Sequence, residues 1–266
     1  MQPISDSDAN WEEKLPTDYK DIIKRSKNSV QWTTKEEAYS MMCRGFLIDD
    51  GEKWFSLDKN GKKCHMLSAV FVWHMTGDKH LPLSESRFGE VFQLDSSYFY
   101  THINIQSQLV SSQTTYASYL VYKLPDDQSG FDGPIEVKAD DADNLSHNEW
   151  YIYLVGPQTP IIRPKADENT HNPVHMPKLK GLPQQRNDGW MEVQLWEFQS
   201  ATSNNLDRPE KIGFSQQIND GWMGVQFQEL PSGTTNFNKY PLLIFTKCDH
   251  KSLKGLIIAG VEYRPV

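Results

Sequence analysis

The chain has 266 residues, a formal net charge of -8 and 12% aromatic residues, with 8 Trp and 11 Tyr. That length can bury a sizeable core, as one large or two modest domains. With 27 Lys and Arg against 35 Asp and Glu, the balance lacks the overall basic character that nucleic acid or an anionic membrane surface demands.

In chain order, Met1–Glu13 is polar and acidic and has no apolar stretch of the kind a secretory signal needs. Thr17–Ser26 places Tyr19, Ile22 and Ile23 on one face of a short helix. Thr34-Lys35-Glu36-Glu37 is a capping box, and Ala38, Met41 and Met42 follow at helical spacing until Gly45. This predicts a helical lead over residues 1–45. After Gly45 the pattern changes. Phe46–Asp49 and Lys53–Asp58 flank the hairpin signal Asp50-Gly51, and Asn60-Gly61 supplies the next turn.

From there the apolar segments have strand length: His65–Trp73, Tyr98–Ile105, Tyr116–Leu124, Ile135–Val137, Trp150–Val155, Met191–Phe198, Val225–Leu230, Leu242–Phe245 and Leu256–Glu262. No long helical stripe intervenes, so the expected fold is mostly β. An antiparallel, jelly-roll-like β-sandwich over residues 46–266 fits this pattern. Gly156–Gln185, with six prolines, reads as a long irregular loop. Gln184–Phe198 recurs 32 residues later as Gln216–Leu230, with Asn-Asp-Gly-Trp-Met in both copies. One pair is too few for a solenoid, so this is a local duplication of a turn and a strand. The longest apolar runs, around Met66–Trp73 and Leu256–Val261, are too short to span a bilayer. Cys43, Cys64 and Cys248 are odd in number and far apart, which predicts reduced, mostly buried thiols in the cytoplasm or nucleus. The sequon at Asn144 is then a chance match.

Signatures of catalysis are missing: there is no phosphate-binding glycine loop, no Gly-x-Ser-x-Gly, no His-Glu-x-x-His and no Cys-x-x-Cys. The expectation is a protein that is not an enzyme and takes no cofactor. His171 and His175 are four apart, but the prolines around them preclude the helix such a metal pair needs, so no metal site is expected. Acid pairs such as Asp49-Asp50 and Asp140-Asp141 read as solvated turn formers. Two segments have recognition chemistry. Trp73 closes a strand beside the polar loop His74–Pro82 and reads either as a ligand platform or as a half-buried rim aromatic. In the second, a type I′-like Asn-Asp-Gly turn leads through Trp190 into a strand. Plain alternation puts Glu192, Gln194 and Trp196 on one face, with Val193, Leu195 and Glu197 on the other. An acid there could contact a sugar or simply pair with a surface cation.

Leu47–Phe55, Lys63–Ala69, Leu83–Val91, Thr114–Lys123, Asp188–Val193 and Gly255–Pro265, in this order, resemble the plant phloem protein 2 lectin family, which includes the tobacco jasmonate-induced lectin. The resemblance implies a β-sandwich lectin-like domain in the cytoplasm or nucleus that binds N-acetylglucosamine oligomers or N-glycan cores without a metal. Mapped onto this chain, the carbohydrate-binding set is Trp73, His80, Tyr98, Trp190, Glu192 and Glu197. His80 stands where the family usually has an aromatic pair, and Tyr98 stands near a position normally held by Trp; Glu192 and Glu197 match the acidic positions. Expected partners are glycans or glycoproteins, with no nucleic acid and no membrane span. The departures open a second reading, a retained fold without sugar binding that serves protein interaction or a phloem structural or defence role. A homodimer, or filaments cross-linked through the cysteines, are further alternatives. Many family members have an F-box; residues 1–45 hold no complete one, although Leu15-Pro16 matches how one opens.

Overall fold

The computed structural model describes residues 11–72, 79–95, 98–131, 133–141, 144–156, 178–200, 211–218, 222–229, 239–247 and 253–266. After a helical turn at residues 11–14 come two helices, α1 (Tyr19–Lys24) and α2 (Lys35–Arg44). The Thr34 hydroxyl accepts from the Glu37 amide at 3.2 Å, and the Glu37 carboxylate accepts from the Thr34 amide at 3.2 Å and the Thr33 amide at 2.8 Å. This reciprocal cap satisfies amides that the first turn leaves without partners, and it fixes where α2 starts.

The chain then enters β1 (Phe46–Ile48), β2 (Lys53–Leu57) and β3 (Lys63–Ser68). The strand expected over His65–Trp73 ends at Ser68, and Ala69–Val72 form a helical turn, α3. Trp73 lies outside the described residues. Next come β4 (Lys79–Pro82), β5 (Glu90–Gln93), β6 (Tyr98–Gln106), β7 (Thr115–Lys123), β8 (Ile135–Asp141) and β9 (Asn144–Ile152). The stretch expected to be one irregular loop over 156–185 contains β10 (Lys178–Gly181) and β11 (Gln184–Gln185); both borrow a neighbour's ladder, a contact that local sequence does not reveal. The chain finishes with β12 (Met191–Gln199), β13 (Lys211–Ile218), β14 (Trp222–Glu229), β15 (Lys239–Lys247) and β16 (Ile257–Pro265).

A nine-stranded sheet runs β1-β2-β3-β16-β7-β12-β11, with the β4–β5 pair attached through β5 to β16. The terminal strand β16 is central: it pairs with β7 along one side and with β3, then β5, along the other. A five-stranded sheet runs β10-β9-β8-β15-β6, and β13-β14 form a separate pair. Pairing is antiparallel except for β10 against β9. The protein is therefore mostly β. Leu67, Phe92, Leu120, Tyr122, Val193 and Val261 of the larger sheet share one buried cluster with Ile105, Ile135, Val137, Trp150 and Ile152 of the smaller. Burying these inward residues is the main force joining the layers.

A second cluster unites Tyr19, Ile22, Ala38 and Met42 of the helices with Ile48 and Phe55 of the sheet. Charges reinforce the joint. Asp49 accepts Arg25 through both carboxylate oxygens at 2.8 and 2.6 Å and Lys53 at 2.6 Å, while Lys63 reaches Asp18 at 2.7 Å.

The thiols depart from expectation. Cys43 is exposed on the polar side of α2, and Cys64 is half-buried. Burial, reinforced by the negative charge of Asp58, pushes the Cys64 thiol up to about 12, so it stays protonated. Cys248 and the His171/His175 pair lie outside the described residues. No helix among the described residues is long and apolar enough to cross a membrane.

Candidate functional site

The site is built on the outer face of the nine-stranded sheet, around the turn into β12. The Gly189 amide donates to the Arg186 carbonyl at 3.2 Å, and the Arg186 amide to the Trp190 carbonyl at 2.8 Å. Gly189 has φ +81°, whereas Asn187 and Asp188 keep negative φ. The turn is thus type I followed by a left-handed glycine, and not the type I′ turn expected; this is the geometry of a three-residue loop, whereas type I′ belongs to a two-residue one. The Asp188 carboxylate accepts from the Trp190 amide at 3.3 Å and from Arg186 Nε at 3.1 Å.

Trp190 is 3% exposed and packs with Met66, Val121 and Ala259 under the Lys123 ammonium, whose nitrogen lies 4.8 Å from a ring centroid. It is a core residue of this face and not an open sugar platform. Glu192 is also buried. Its carboxylate accepts both amino groups of Arg264 and, at 2.8 Å, Nη1 of Arg186. Glu262 accepts Arg87 at 2.9 Å on one oxygen, and Arg186 and Arg264 on the other. Three arginines and two buried carboxylates, with Asp188 at the rim, form a closed charge lattice. Burial alone would raise the Glu262 carboxyl, but the charges of Arg186, Arg87 and Arg264 outweigh it and hold the group below the ordinary carboxylate range. The Arg264 guanidinium lies 3.8 Å from the Tyr119 ring centroid, and Arg87 lies 5.5 Å from that of Trp54.

The strand faces differ from simple alternation. Register shifts between Gln194 and Trp196, with Leu195 as the extra residue of a bulge. Glu192, Gln194 and Glu197 then stand opposite Val121, Tyr119 and Ala117 on the outer face. Trp196 turns inward, its ring 5.0 Å from that of Trp150. The bulge thereby brings Glu197 to the face that holds Glu192. Glu197 is exposed and accepts from the Gln194 carboxamide at 2.6 Å.

His80 sits elsewhere. It is exposed on β4 opposite Phe92, an inter-sheet core residue, while its neighbour Leu81 faces the outer cluster. By alternation His80 points away from the Glu192 face. Tyr98 begins β6 in the other sheet. The structure gathers Trp190, Glu192 and Glu197 around one face and separates His80 and Tyr98 from them. Arg87, Arg186, Glu262, Arg264 and Tyr119 were not anticipated, although Glu262 and Arg264, two apart on one strand, necessarily share a face. Among the described residues no group of three or more His, Cys, Asp or Glu is placed to hold a metal.

Two packed β-sheets, the larger with an outer face of aromatic rings, guanidinium groups and carboxylates, make this a mostly β domain. Residues 62–265 match the family model for phloem protein 2, and the chain belongs to that family. Three Arabidopsis thaliana relatives are similar to it. F-box protein At2g02240 is 32% identical over 201 residues, covering 72% of this chain and 58% of that protein. F-box protein PP2-B15 is 30% identical over 215 residues, covering 74% and 73%, and F-box protein PP2-B10 is 33% identical over 200 residues, covering 72% and 67%. The chain thus spans 58% of the length of one of these relatives and about 70% of the other two.

Proposed function

We propose that this chain is a non-catalytic carbohydrate-recognition protein of the cytoplasm and nucleus that binds N-acetylglucosamine oligomers or N-glycan cores without a metal. Glu197 carries the reading. Unlike Glu192, it is exposed and bonded to a neutral carboxamide, on a face that also carries Tyr119, half-buried with the Arg264 guanidinium against its ring. An exposed acceptor beside an aromatic ring is the chemistry that sugar hydroxyls and acetamido groups take. In this reading Trp73 stacks on a sugar ring, Glu197 accepts from hydroxyl or amide groups, and Glu192 holds the arginines that shape the face without touching sugar.

Titration calorimetry with chitotriose tests this on the wild type, Trp73→Ala and Glu197→Gln. The expected result is saturable binding near the millimolar scale, about 4 kcal/mol, which either substitution removes. Flat heats for the wild type would reject the sugar reading. The second reading, a protein-binding domain without sugar affinity, is favoured by the saturation of Glu192 by two arginines and the burial of Trp190. The relatives are named as F-box proteins, and a protein partner for this chain belongs to the same reading. A silent glycan array together with stable capture of one protein partner would select it.

A further inference from the structure

The sequence duplication is a duplication of a whole hairpin. In the first copy Gln184 pairs with Glu192 and Gln185 with Met191; in the second Gln216 pairs with Gly224 and Gln217 with Met223. Each pair is displaced by 32 residues, so the second hairpin repeats the first in register as well as in sequence. Their surroundings differ. The far edge of β12 is covered from Met191 to Gln199 by β7. The corresponding edge of β14 pairs with nothing among the described residues, because β13 and β14 form a sheet of their own.

Exposed edges are normally blunted by Lys, Pro, charge or a bulge, since unpaired amides and carbonyls recruit other strands. Trp222-Met223-Gly224-Val225-Gln226-Phe227-Gln228 has no charge and no proline, and its ladder with β13 runs eight residues without a register shift. In the first copy the corresponding strand carries Glu192 and Glu197 and has β7 along that edge. Among the described residues, the second copy keeps that edge without a strand on it. It has also lost what ties the first copy to its own sheet: Arg186 and Glu192 correspond to Ile218 and Gly224. The first hairpin therefore holds the place beside β7, and the outer edge of the second has no partner strand among the described residues.

We propose that β14 is a β-augmentation site that takes an extended protein segment of the chemistry that β7 presents to β12. That segment, Tyr116-Ala117-Ser118-Tyr119-Leu120-Val121-Tyr122, is uncharged and has an aromatic residue at every third position with small or aliphatic residues between. Main-chain hydrogen bonds supply the binding, and the uncharged, regularly spaced aromatic side chains supply the selection. This site is independent of the sugar-facing surface.

The test titrates the full chain with a peptide of the sequence Thr115–Lys123 and with a scrambled peptide of equal composition, followed by hydrogen exchange of the complexes. The expected result is saturable binding at least about tenfold tighter than the scramble, with new protection over 222–229. Val225→Pro, which removes an amide from the edge strand, should reduce it to the level of the scramble. Absent binding, equal binding of the scramble, or protection confined to 191–199 would each overturn the proposal. So would self-association that protects 222–229 without peptide, since a second copy would then be the occupant.

Discussion

At Glu192 three guanidinium contacts, two from Arg264 and one from Arg186, occupy a carboxylate that burial has already removed from water. A group in that state orders its neighbours and has little capacity left for a ligand. Glu192→Gln removes the charge and leaves two arginines short of a partner, so it should destabilise the fold by about 3 kcal/mol, read as a drop in the urea midpoint. An unchanged midpoint would mean the lattice is looser than its geometry. Titration adds a second test. Glu262 is held below its usual value of 4.5 by its arginines, against the effect of burial. Its folded value lies under its unfolded one, so its contribution is present above pH 4.5 and is lost as pH falls through the folded value. His65, stacked on Tyr263 at 4.7 Å, is pushed down to about 3 by burial, with the charge of Lys53 acting in the same direction. It too is depressed on folding, so stability declines as pH falls from about 6.5 toward 3. His65→Phe keeps a ring against Tyr263 and removes the proton site. Its advantage over wild type in urea should widen between pH 7 and pH 4.5, by at most about 1.4 kcal/mol per pH unit. Parallel curves would contradict this assignment.

Among the elements, β16 shows how tightly the ladders constrain one backbone. A Cβ built on Gly260 would lie 2.0 Å from the Leu67 carbonyl oxygen, beside the register shift that follows Ile258. The obstacle is backbone on the adjacent strand β3 and cannot rotate away. Gly260→Ala should therefore cost more than an ordinary core overpacking, above about 3 kcal/mol, and a thermal melt of soluble protein would show it. A variant melting within a few degrees of wild type would mean that β3 can move aside. The bulge at Leu195 teaches a related lesson. Alternation read from the sequence separated Glu192 from Glu197, and one extra residue reunited them. Bulges obey cross-strand pairing, and nothing local to Val193–Trp196 announces one.

On the scale of the whole molecule, the family match begins at residue 62, but the packed unit begins earlier. Met42 is fully buried in a cluster that includes Ile48 and Phe55 of the sheet. Met42→Ala should cost about 2–5 kcal/mol. A chain starting at residue 62 would lose β1, β2 and every buried member of that cluster except Leu109, and would expose the flank of β3. It should be insoluble or lack a cooperative melt, and a sharp melt from the truncated protein would show that the helices only decorate the sheet.

Much of this was legible from the residues alone. The capping box at Thr34–Glu37 defined α2, strand-length apolar runs gave the mostly β class, six ordered segments gave the family, and the repeat was visible as identical letters. These signals are local, set by propensity, turn chemistry and periodicity. Whatever depended on which strands meet was decided by the tertiary structure. Glu192 became an arginine anchor because β16 delivers Arg264 and the preceding turn delivers Arg186. Trp190 was buried by Val121 and Ala259. His80 and Glu192 parted to opposite faces, and one hairpin of two found β7. Sequence separations of 72 residues for Glu192 and Arg264 and 175 for Arg87 and Glu262 lie far beyond any local pattern; only the closing of the ladders brings such groups within a hydrogen bond of each other.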